Sequence, residues 1–113
     1  MTRLLENIGE EPIQRHTILF QDYEIILTLR FHPTCEMWCI DVEYLGSNIY
    51  GVKLSCGVLH MLSKNYPFDF VCTDNSGNGI DPFKRNDFST NRCSLYMLES
   101  DDMQSIRGVP VSL

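Results

Sequence analysis

No apolar run in this chain approaches the roughly 20 residues of a membrane-spanning helix, and its first residues lack a basic-then-apolar signal pattern. The expectation is a protein made and kept in the cytosol of its producing cell, with no membrane partner. Basic charge is also scarce. Nine Lys and Arg stand against fifteen Asp and Glu, a net charge of −6. An acidic protein repels phosphate backbones unless its cations gather on one face. Here they are scattered from Arg3 to Arg107, and the one adjacent pair, Lys84-Arg85, is flanked by Asp81 and Asp87. Nucleic acid is therefore not an expected partner.

Catalytic signatures are missing as well. There is no Walker loop, no dinucleotide fingerprint and no G-x-S-x-G nucleophile motif. The histidines, His16, His32 and His60, stand apart on a strand, in a proline turn and in a presumed helix. Cysteines number five, at positions 35, 39, 56, 72 and 93. An odd, dispersed set does not make a disulfide ladder in a reducing compartment. Cys35 and Cys39 have zinc-like spacing, but no second C-x-x-C or H-x-x-x-H pair completes a tetrahedral set. The thiols read as small buried hydrophobes. These absences predict a protein that is not an enzyme, with no cofactor, no metal and no small-molecule substrate, and whose melting is indifferent to chelators.

What is present is a core and a strand pattern. A chain of 113 residues is one domain on the usual prior, and its 43% hydrophobic and 21% charged content is that of a folded globular protein. Residues 16–20 and 23–31 read as strands joined at Gln21-Asp22. In the second, Tyr23, Ile25, Leu27, Leu29 and Phe31 alternate with mostly polar neighbours. His32-Pro33-Thr34 breaks the run. Residues 36–44 form a third strand, with Trp38, Ile40, Val42 and Tyr44 on one face and Cys39, Asp41 and Glu43 on the other. After the turn at Leu45-Gly46-Ser47-Asn48 comes a fourth, residues 49–54. Short connections make these an antiparallel up-and-down meander. Residues 68–73 and 92–99 are a fifth and a sixth strand.

Between the fourth and fifth runs the period lengthens from two toward three or four. Gly51 and Gly57 bracket this change, as suits a chain leaving a sheet and starting a helix. The fold expected is all-β, a small antiparallel barrel or sandwich of five to seven strands with one short helix near Leu59 to Asn65. Trp38 is expected among its most buried residues.

Two polar features invite a chemical reading. Asp74, Ser76, Asn78 and Gly79 fill the first half of a calcium-loop pattern, but the position of the bidentate acid falls on Arg85, so the loop reads as strand-to-strand turn chemistry. Asp41 with Glu43 reads as a solvated strand face, as does Asp101-Asp102 in the tail.

A strand-rich front half, then Gly51-Val52-Lys53-Leu54-Ser55-Cys56-Gly57-Val58-Leu59-His60-Met61-Leu62, then a closing Arg92-Cys93-Ser94-Leu95-Tyr96-Met97 run, resembles the small baseplate plug proteins of contractile-tailed bacteriophages. Trp38-Cys39-Ile40-Asp41-Val42 and residues 68–74 fit the same pattern, and the likeness spans residues 17–98. It departs from the pattern in the hairpin at Gln21-Asp22, which lacks a glycine, and at Met97, which replaces an aromatic. The resemblance implies a structural virion protein of the tail baseplate, made in the host cytoplasm and packed in a symmetric ring beside hub and tail-tube proteins.

The organisation expected is an N-terminal arm over 1–14, a β domain over 15–100 and a C-terminal tail over 101–113. Leu4, Leu5 and Ile8 have helical spacing and read as a short amphipathic helix or an arm; Ile106, Val109, Val111 and Leu113 lie in the tail. These seven apolar residues fall outside the patterned core and are the candidate partner contacts. The other reading of the chain is a small host-directed or cellular binding module that captures a peptide by a sheet edge or by the arm.

Overall fold

A computed structural model describes residues 2–20, 22–58, 60 and 66–99. Within them the protein is all-β, with seven strands and no helix. Four form one antiparallel sheet in chain order: β2 (Ile13–Phe20), β3 (Tyr23–His32), β4 (Met37–Tyr44) and β5 (Ser47–Lys53). The remaining three, β1 (Thr2–Leu4), β6 (Phe68–Asp74) and β7 (Cys93–Glu99), form a second antiparallel sheet in the order β1-β7-β6.

The meander follows from its turns and its alternation. Phe20 pairs with Tyr23 and Tyr44 with Ser47, so two of its hairpins close over two residues. Leu45 and Gly46 both have positive φ, 49° and 78°, the requirement of a type I′ turn whose twist matches the flanking strands. Ile25, Leu27 and Leu29 point into the core with no exposed surface. On β5 the register slips by one residue between Ile49 and Val52. Gly51, with φ 70°, takes the left-handed conformation of such a bulge and donates its amide to the Asp41 carboxylate at 2.7 Å. Gly51 therefore bends a strand within the sheet, whereas its sequence had placed it where the chain leaves the sheet.

The second sheet corrects the reading of the N-terminal segment as a helix or a free arm. β1 pairs with β7 from Thr2 opposite Leu98 to Leu4 opposite Tyr96, and the Leu5 amide extends the ladder to the Leu95 carbonyl at 2.9 Å. The edge of β7 offers this short segment a full set of backbone partners, which an isolated helical turn cannot match. Ile8 then folds inward and joins the core.

The two sheets share one apolar core, bridged by aromatic rings. Phe20 of β2 and Tyr44 of β4 meet Phe68 of β6 at centroid distances of 5.5 and 4.9 Å. Trp38 is fully buried, edge-on to Phe88 at 5.6 Å, and its indole N–H donates to the Lys84 carbonyl at 3.0 Å. One side chain of the meander thus fixes the long connection between β6 and β7. The helix expected near Leu59 to Asn65 lies outside the described residues except for His60, which sits in a bend. The 101–113 tail also lies outside them.

Candidate assembly surface

Among the described residues, one polar network braces the connection from Asp74 to Cys93. Its centre is Arg92. The guanidinium donates to both oxygens of buried Asp87, each at 2.9 Å, and to the carbonyls of Ile80 and Asp81 at 3.2 and 3.0 Å. It also lies 3.3 Å from Asp74 and stacks over the Phe83 ring at 5.3 Å. Asp87 accepts the amides of Phe83 and Lys84 as well. Burial pushes the Asp87 pKa up, yet its hydrogen bonds from Arg92 and the two amides outweigh that, and the net shift is downward. The bond with Asp87 in turn raises the pKa of Arg92.

The calcium-like loop has a different explanation in this setting. Asp74 accepts the hydroxyl of Ser76 at 2.6 Å, its amide at 2.9 Å and the amide of Ile80 at 2.8 Å. Those bonds, led by the Ser76 hydroxyl and aided by Arg92, hold its carboxyl at about 2. The Asp-x-Ser turn is a local cap on the strand end, and the cation facing it is Arg92.

Asp41 departs from its expected solvated face. It is buried, ion-paired with Arg30 at 2.7 Å, and takes the Gly51 amide at the bulge. The alternation correctly gave its side of the strand, but the bulge on β5 covers that side. Asp69 was not singled out in the sequence, and it too is buried, accepting the amides of His60 and Phe70. Its bond from His60 reaches in from another segment, and no local motif marks it.

Three of the five cysteines meet. The thiols of Cys56, Cys72 and Cys93 all lie within 4.8 Å of one another. Cys72 and Cys93 are buried and Cys56 is half-buried. Burial raises the pKa of all three thiols, Cys93 to about 12, so each is protonated at neutral pH. Cys35 is exposed and Cys39 is buried on β4.

The seven proposed contacts separate. Leu4 is exposed, Leu5 packs partly against the core, and Ile8 is in it. Ile106, Val109, Val111 and Leu113 lie outside the described residues. Exposed apolar side chains that the strand reading left unremarked include Ile13 and Leu19 on β2 and Tyr50 on β5, and Tyr23, grouped with the core face of β3, is exposed at the strand's start. Leu4 and Leu19 line one recess between the N-terminal segment and β2, into which His16 also reaches. There Arg3 donates to the Leu19 carbonyl at 3.0 Å. The His16 Nε2 is buried with no hydrogen-bond partner among the described residues, and burial lowers its pKa.

An all-β domain whose long connection is braced from within, and which leaves apolar side chains exposed on its strands, suits a small structural part of an assembly. The particular family follows from comparison. Residues 5–101 match the family described as Cyanophage baseplate Pam3 plug gp18, and the chain belongs to this family of phage baseplate plugs. The match reaches further toward the N-terminus than the motifs did, taking in Leu5 and Ile8. No curated protein matches the chain.

Proposed function

We propose that the chain is a plug-like structural component at the centre of a contractile tail baseplate, held in a symmetric ring against hub and tail-tube proteins and performing no catalytic step. It is made in the host cytoplasm and acts in the virion. The observation that carries this reading is the family match, which spans nearly all of both sheets. Leu4 and Leu19, exposed at one recess, supply an apolar contact of the kind a ring neighbour or hub protein covers. The tail residues Ile106, Val109, Val111 and Leu113 supply a second.

The test must separate folding from assembly. Deleting residues 1–11 does not, because it removes Ile8 from the core. Leu4→Asp and Leu19→Asp change only exposed side chains, and deletion of 101–113 leaves both sheets whole. Each variant is expected to melt near the parent temperature yet to yield few infectious particles and incomplete baseplates by electron microscopy. Full infectivity in all three would end the proposed contacts.

A further inference from the structure

Cys72 on β6 lies opposite Leu95 of β7, and Cys93 is two residues before Leu95, so the two thiols are diagonal neighbours on the same face of this strand pair. Cys56 joins them from the chain that leaves β5. It forms an isolated parallel bridge with Cys72, and the Gly57 amide donates to the Cys72 carbonyl at 3.0 Å. Three neighbouring backbone segments therefore aim one sulfur each at a common point.

We propose that Cys56, Cys72 and Cys93 form a thiolate site for a thiophilic d10 cation, Zn²⁺ or Cu⁺, which ties the chain after β5 to β6 and β7. The spacing fits that chemistry. Three sulfurs at about 2.3 Å from a metal lie about 3.8–4.0 Å apart. The Cys56–Cys72 pair is already at 4.0 Å, and the whole set needs at most a small contraction from its 4.8 Å limit. A disulfide, by contrast, needs sulfurs about 2 Å apart. Soft thiolates select such ions over calcium or magnesium. Three thiolates exceed the charge of a divalent ion by one, an excess that Arg92 offsets only in part because Asp87 and Asp74 already pair with it. The half-buried Cys56, whose sulfur lies 3.3 Å from the Ile80 carbonyl, marks the side open to entry. The sequence expectation of no metal rested on local spacing, whereas this set is spread from position 56 to position 93 and meets only through strand pairing.

The ion must displace three protons, so binding releases acid and tightens as pH rises. The test is native mass spectrometry and thermal melting of the full chain with Zn²⁺, and separately with Cu⁺ under anaerobic reduction. One ion per chain, proton release and a higher melting temperature are expected, with Cys35→Ser unchanged and Cys56→Ser binding about a hundredfold more weakly. Should Cys56→Ser fail to fold, the decisive reading is peptide mapping of the parent protein, in which the ion must shield half-buried Cys56 from alkylation and leave exposed Cys35 reactive. Absence of bound ion, equal binding by folded Cys56→Ser, alkylation of Cys56 unchanged by the ion, or loss of two hydrogens with no metal retained would each overturn the assignment.

Discussion

The four-stranded meander and the three-stranded sheet are held in different ways. In the meander every strand pairs with its neighbour in sequence, and two of the three links are two residues long. Its order comes from apolar alternation and tight turns, both local. The second sheet brings Thr2 opposite Leu98 and places β7 between two strands far from it in the chain. Its long connection is held by a half-buried guanidinium, two carboxylates and one indole N–H. Short links lose little chain entropy on closure and need few special bonds; long ones must be held at specific points. In this protein the Arg92–Asp87 pair is such a point, on the connection that returns from β6 to β7.

The largest test of this contrast is Trp38, which belongs to the meander but anchors the long connection. Trp38→Ala is expected to cost ~3–5 kcal/mol, measured from urea unfolding midpoints, because it leaves a cavity and frees the Lys84 carbonyl. A loss under ~1 kcal/mol would mean that the two regions are not joined there. Arg92→Met should follow at about 3 kcal/mol, since it strands the buried Asp87 carboxylate. Hydrogen exchange should then rise in the second sheet before the meander. Uniform exchange across both would show that the bracing is shared.

Acid sharpens the same comparison. Asp74 and Asp87 have folded-state pKa values below those of free carboxyls. Their contribution is therefore complete above the unfolded value near 4 and is lost as pH falls through the folded value, about 2 for Asp74. Urea midpoints should be flat from pH 7 to 5 and drop below pH 4, and Asp74→Asn should flatten part of that limb. An unchanged limb in the variant would remove Asp74 from the account. The smallest expected effect lies in the meander. Leu45 occupies a left-handed turn position at φ 49° and is exposed, so Leu45→Asn should stabilise by about 0.5–1 kcal/mol. Any loss of stability would show that the Leu45 side chain contributes more than its turn conformation costs.

Alternation made β3 and β4 legible, down to the burial of Trp38, and the family pattern was visible in Gly51 to Leu62 and Arg92 to Met97. β1 was not legible. Leu4, Leu5 and Ile8 carry a helical spacing, and only the open edge of β7 turns that segment into a strand. Asp41 was placed on the correct face and then misjudged, because a one-residue bulge at Gly51 closes over it. Arg92 was seen as the start of a strand; its role depends on Asp74, Asp87 and two carbonyls that assemble only when the connection folds back.

From the sequence alone came the all-β class, the meander and its order, and the baseplate plug family, because alternation, turn residues and short motifs are properties of neighbours in the chain. Tertiary structure alone decided that the N-terminus is a strand, that Arg92 braces the long return, that Leu4 is exposed while Ile8 is buried, and that three scattered thiols share one pocket. Those outcomes depend on which backbone edge and which side chains meet across tens of residues, and no local pattern encodes such a meeting.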